Sequence, residues 1–300
     1  MTEMNRLLTS AAVFLCLATS ATAQRQYTVP TYEDRKEIDL NDFIEIKNQY
    51  SWHGAQGMAI HDGYLFALYH LGDCVVADLK NGKFINEYII AGAAKTHCNN
   101  ASFGVEYADS TSRFPLLYVS ECGRPMRCFV IDVSTEGSRH IQTVRYVGSG
   151  ITSYCDWCVD RENRFLYAFG MTPERGVVLK RFRLPSLAES DADGEVLLGD
   201  DDILWEHTYP KGFFHITQGT CIRDNYMYCP TGYPRAGSCY IHVLDLTDGH
   251  PADKHNIDRI PYEPEGVCTA GDRLYVFFGH NRGEIHSFDI GTAANEKLDY

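Results

Sequence analysis

The chain is short of positive charge: 27 lysines and arginines stand against 40 aspartates and glutamates, for a formal net charge of −13. That excess of acid argues against nucleic acid and anionic membrane surfaces as partners, since both attract basic patches. Long apolar runs are also lacking. The longest, Leu7 to Ala18, is too short to cross a bilayer comfortably, so no membrane span is expected. There is no GxSxG, no Walker loop and no GxGxxG, which leaves serine-hydrolase, nucleotide-phosphate and dinucleotide readings without support. Nothing in the sequence has the periodicity of a long amphipathic helix. The CDWC at 155–158 has the form of a redox or zinc half-site, but no second CxxC accompanies it.

What the first residues do contain is a charged start, the apolar run and the small-residue sequence Ala21-Thr22-Ala23 before Gln24. This is the form of a secretory signal peptide over residues 1–23, cut near Ala23, and it predicts a secreted or periplasmic protein. Residues 24–40 read as a lead-in, and residues 41–300 as one domain. Ten cysteines lie outside the leader. Cys74, Cys128, Cys221, Cys239 and Cys268 sit in apolar strand patterns, where cysteine serves as a small buried hydrophobe. Cys98, Cys122 and Cys155 fall in expected loops, and at most one disulfide is expected, with its partners open.

The main signal is an internal repeat. HGAQG at 53–57 and HITQG at 215–219 share a histidine, two spacers, glutamine and glycine, and NASFG (100–104), YCDWC (154–158) and YEPEG (262–266) are weaker copies. First positions fall at His53, Asn100, Tyr154, His215 and Tyr262, at intervals of 47, 54, 61 and 47 residues. Such spacing is close to a propeller blade. Each copy leads into a tight polar turn, then an aromatic-rich strand (YLFALYH, LLYVS, FLYAF, YMYC, RLYVFF), then a strand ending VVADL, FVIDV, KRFRL, HVLDL or HSFDI. Fourth strands are read at 83–90, 139–147, 203–209 and 256–262, and the acidic segment 187–202 is an insertion. The fifth unit ends without a fourth strand, while NDFIEIKN at 41–48 is unclaimed. The reading is all-β: a five-bladed β-propeller of four-stranded antiparallel blades, closed by the N-terminal strand completing the last blade.

In such a ring the repeated segments gather at one mouth of the axis. Glycine there lets inner strands approach, and the residue before it can point inward. Ligand-binding candidates are Gln56, His97, Asn100, Glu121, Asp156, Trp157, Gln218, His280 and Arg282. Glu265, His215 and His53 are the catalytic candidates, with Glu265 and a histidine sharing proton transfer. His53, His97, His215 and Glu265 would also suffice for a divalent metal, so a metal stays open. Arginines in four of five loops facing the mouth (Arg124, Arg127, Arg175, Arg235 and Arg282) suit an anionic ligand. The glutamines and histidines equally suit a structural role, bonding backbones across the channel.

The unit of TQG, inner strand, tight turn and LY-type strand resembles five-bladed propellers of the plant-type glutaminyl cyclase group and the related helveticin-like secreted propellers. The resemblance covers most of residues 41–290 through short motifs. It implies a central glutamate as acid/base, and Glu265 of YEPEG is the matching position. The histidine-bearing entries and DWC depart from that group. Two functions follow: an exported propeller that binds, and processes by acid/base chemistry, a polar carbohydrate or anionic small ligand, as a hydrolase, lyase or acyltransferase; or a non-catalytic glycan- or protein-binding propeller.

Overall fold

The computed structural model describes residues 32–46 and 54–290, so the leader, His53 and residues 47–48 lie outside the described residues. Its strands form five sheets, each antiparallel except for one added strand. The first blade is β2–β5 (Ala55–His61, Tyr64–Tyr69, Asp73–Asp78, Lys83–Ile89). The second is β6–β9 (Cys98–Phe103, Leu117–Glu121, Arg127–Val133, Ser138–Tyr146), and the third β10–β12 (Cys155–Asp160, Phe165–Met171, Val177–Arg183) with β14 (Trp205–Tyr209). The fourth is β15–β18 (Cys221–Arg223, Tyr226–Thr231, Tyr240–Asp245, Pro251–Asn256). The fifth is β19–β21 (Glu263–Ala270, Arg273–Gly279, Glu284–Asp289), completed by β1 (Asp34–Asp39). This is a five-bladed β-propeller whose ring is closed by the N-terminal strand.

The aromatic-rich strands take the second place in every blade because both their faces are covered. Accordingly Leu65–Tyr69, Leu117–Val119, Leu166–Phe169 and Phe277–Phe278 are buried. Side chains from neighbouring blades interleave in five apolar clusters, one for each blade interface. Inner strands contact one another in ring order, β19 against β2, β2 against β6, β6 against β10, β10 against β15 and β15 against β19. The acids that end the third strands hold the next turn: Asp78 accepts from the Asn81 backbone N–H and Asp245 from that of Thr247.

Two outer strands lie away from their expected places. The closing strand is Asp34–Asp39, paired with β21 from Asp34–Phe288 to Asp39–Glu284, not 41–48. Within 41–48, Phe43 and Ile46 are buried while Ile44 is exposed, a spacing of three that packs a turn onto the core instead of alternating along a strand. Likewise the fourth blade's outer strand is the polar Pro251–Asn256, and the apolar Ile257 and Ile260 that suggested 256–262 are buried in the turn after it. The 187–202 insertion supplies β13 (Glu195–Leu198), which adds a parallel fifth strand to the second blade. The ten cysteines among the described residues are all free, nine of them buried and Cys122 half-buried. Cys98 and Cys155 lie within β6 and β10, not in loops, and neither is bridged. Burial raises the thiol pKa, to about 12 for Cys122 and Cys98, and an unionised buried thiol is inert.

Candidate functional site at the hub

Each inner strand carries one polar residue into the convergence of the five blades, and three do so through a β-bulge. Register slips between Ala55 and Met58, between Cys98 and Asn100, and between Pro264 and Gly266, which sets Gln56, Asn99 and Glu265 out of the regular ladder. A bulge bends the strand and re-aims a side chain, and such features recur beside functional sites. In the third blade the ladder is regular and Asp156 faces Phe169. In the fourth, Gln218 donates its backbone N–H to Pro230 before the strand proper begins. Gln56, Asn99, Asp156, Gln218 and Glu265 are all buried, none more than 9% exposed.

Glycine follows three of these residues: at Gly57 and Gly266 backbone fills the space a side chain would need, and Gly219 takes a positive φ of +87°. A Cβ on Gly266 would lie 2.5 Å from the Gln56 carbonyl oxygen, and one on Gly57 would lie 2.8 Å from the Asn100 carbonyl carbon. In the second blade Asn100 takes the glycine's place and ties spokes together. Its carboxamide donates to the Trp157 and Thr220 carbonyls at 3.0 and 2.9 Å and accepts from the Thr220 N–H at 3.2 Å. Asn100 is thus spent on structure.

Asn99, absent from the expected set, donates to both oxygens of Asp156 at 2.8 and 3.0 Å. Full burial pushes the Asp156 carboxyl up to about 7, against the pull of Asn99 and the Gly219 N–H. Between the adjoining fourth and fifth blades, Gln218 donates to Glu263 at 2.6 Å. Burial also raises Glu263, opposed by Gln218 and by the charge of Arg235. Glu265 is different. Among the described residues no hydrogen-bond donor reaches its carboxyl, and burial, reinforced by the charge of Glu263, raises its pKa well above the ordinary carboxylate range. On the adjoining spoke the Gln56 side-chain oxygen is buried and, among the described residues, unpartnered.

The remaining expected residues divide. His215 is exposed on the loop before Gln218 and stands outside the buried ring. His97 is half-buried beside His70, with the two Nδ1 atoms 2.9 Å apart. Trp157 is fully buried in the cluster between the second and third blades, where its indole N–H donates to the Met126 carbonyl. It is a core residue and has no face to offer a ligand. Glu121 holds Arg127 through two hydrogen bonds of 2.7 and 2.8 Å. His280 pairs with Glu284 and stacks on Tyr262, while Arg282 donates to the Phe43 carbonyl. Arg124 likewise binds the Thr152 carbonyl. Arg124, Arg127 and Arg282 are therefore engaged within the protein, which weakens the case for an anionic ligand; Arg175 and Arg235 are exposed. Among the described residues no group of three or more His, Cys, Asp or Glu side chains could hold a metal ion.

With this geometry in place, solved structures offer a comparison. The fold recurs in a glutaminyl cyclase. The crystal structure of that enzyme from Myxococcus xanthus is similar over 88% of this chain and 97% of its own, at a TM-score of 0.51 and 10% sequence identity. At that identity the likeness is one of fold, and it agrees with the resemblance read from the repeat. The β-propeller domain of Cps50 (Swd1) from Myceliophteria thermophila is similar over 79% of this chain and 83% of its own, at a TM-score of 0.43 and 12% identity. Hydrazine synthase from Kuenenia stuttgartiensis is similar over 74% of this chain and 61% of its own, at a TM-score of 0.41 and 11% identity. No family model matches the sequence, nor does any curated protein.

Proposed function

We propose that the hub binds a small, neutral, polar ligand, with a carbohydrate hydroxyl system the best chemical fit, and that Glu265 meets it as a protonated acid. The observation that carries this reading is the pair of unmet groups on adjoining spokes, the Glu265 carboxyl and the Gln56 oxygen. Buried polar groups are nearly always hydrogen-bonded, so the buried Gln56 oxygen, beside a Glu265 carboxyl that no described donor reaches, is explained by a missing partner. A ligand hydroxyl can give a hydrogen bond to Gln56 and accept one from the Glu265 O–H. Three acids at the hub, Asp156, Glu263 and Glu265, disfavour an anion there.

Two levels of activity follow. A protonated Glu265 can donate its proton to a leaving oxygen or nitrogen of the ligand, which is general-acid catalysis. A non-catalytic glycan binder uses the same hydrogen bond without transfer, and the exposed His215, unable to share the proton from its loop, favours this second reading. The form of residues 1–23, that of a secretory leader, supports export for either activity.

Glu265→Gln separates the readings. Glutamine keeps a donor and an acceptor, so a binder holds its affinity within a few-fold, while an acid catalyst loses about 100-fold or more in turnover. The screen is thermal shift of the purified mature protein against neutral and acidic sugars, where a saturating ligand adds roughly 2–4 kcal/mol of stability. A flat response across the panel overturns the carbohydrate assignment. A response to acidic sugars alone overturns the neutral one.

A further inference from the structure

We propose that His70 and His97 form a two-imidazole site for a divalent transition-metal ion at the mouth of the ring, selective for copper(II) or nickel(II) over zinc. His70 follows β3 in the first blade and His97 precedes β6 in the second, and their backbones form a β-bridge. The Leu71 N–H to Thr96 and Lys95 N–H to Leu71 hydrogen bonds, 3.0 and 2.8 Å long, fix both segments. The two rings are therefore presented on a braced frame between blades.

The Nδ1 atoms are 2.9 Å apart, with ring planes at 78° and centroids at 4.7 Å. The two nitrogens are within hydrogen-bond distance, so one proton lies between them, and a bound ion takes that proton's place. With metal–nitrogen bonds of about 2.0–2.1 Å, a gap of this size subtends roughly 90° at the ion. Cis positions of a square-planar or octahedral ion have that angle, whereas tetrahedral zinc opens its ligands wider. Imidazole suits both copper(II) and nickel(II), and copper(II) binds most strongly in the divalent series.

The surroundings fit a ligand pair. Both histidines are only half-buried, so an ion can reach them. His97 also has a side-chain hydrogen bond with Asn99, which is held by Asp156, the kind of outer partner that orients a ligating imidazole. Since no third His, Cys, Asp or Glu among the described residues completes a set, the other coordination positions fall to water or to oxygens of a bound ligand. This inference does not depend on Glu265, and either can fail without the other.

The test is copper(II) titration of the untagged mature protein after chelator stripping, read by calorimetry and by electron paramagnetic resonance. One equivalent is expected, with hyperfine structure from two imidazole nitrogens. His70→Gln and His97→Gln should each weaken binding at least tenfold, while His250→Gln, an exposed histidine, leaves it unchanged. Absence of uptake by the wild type, or uptake by both variants with wild-type affinity, overturns the site. If either variant fails to fold, the wild-type resonance decides: two nitrogens support the pair, and one nitrogen or oxygen-only coordination overturns it.

Discussion

Asp156 shows how a single residue at the hub couples burial, hydrogen bonding and pH. Its folded pKa is raised to about 7 by burial, so it binds a proton more tightly folded than unfolded. A raised carboxyl favours the folded state below its unfolded pKa and loses that contribution as pH climbs through about 7. Asn99 works in the opposite direction, because its two contacts favour the charged form. Asn99→Leu should therefore cost about 1–3 kcal/mol at pH 8, where the carboxylate is left short of a donor, and clearly less at pH 5. Urea unfolding at the two pH values measures the difference, and an equal cost at both would show that Asn99 acts only by packing. The repeat made Gln56, Gln218 and Glu265 legible, because each precedes a glycine. Asn99 was not, because Asn100 replaces the glycine and a bulge displaces the copy, so NASFG aligned Phe103 where the hub uses Asn99. Phe103 instead packs between blades beside Phe66 and Phe114.

Among the elements, inner strands are defined by how closely they approach. Gly57 and Gly266 sit where neighbouring backbones leave no room for a Cβ, and backbone at the centre of a ring cannot move aside without shifting whole blades. Gly266→Ala should destabilise by about 3 kcal/mol, at the upper end of overpacking costs. Gly137→Ala, where nothing lies within 4 Å of the added carbon, should be near neutral. Thermal unfolding of the two variants checks this, and a similar melting temperature for both would mean that the hub relaxes. Second and third strands were legible throughout, because burial on both faces demands apolar runs ended by turn signals. Two of the five outer strands were not. DRKEID and PADKHN are largely polar, since the rim faces water, and the apolar residues near each belong to turns folded under the blades. Hydrophobic pattern reports burial, and only where burial and strand coincide does it report the strand.

For the whole molecule, the ring depends on one seam, the pairing of β1 with β21. Among the described residues no disulfide reinforces it, since their ten cysteines are all free. Beyond the ladder, Arg259 spans from the fourth blade to Asp34 and to the Tyr32 carbonyl, and His286 contacts Asp34 at 3.3 Å. Burial works against the Asp34 charge, but Arg259 and His286 together bring its carboxyl below the ordinary value. A lowered carboxyl favours the folded state above its unfolded pKa and loses that contribution as pH falls through the folded one. Asp34→Asn should thus cost up to about 1 kcal/mol near neutrality, the modest scale of a partly exposed pair, and progressively less as pH falls through the lowered folded pKa. Removing the strand is a harsher matter. A chain starting at residue 41 keeps the five inner triplets but leaves β21 as an open edge beside its unsatisfied backbone groups. Such a chain should unfold at a markedly lower temperature and associate through that edge, seen as high-mass species in size-exclusion chromatography. A monomer of unchanged stability would mean that inter-blade packing, not the seam, keeps the ring closed.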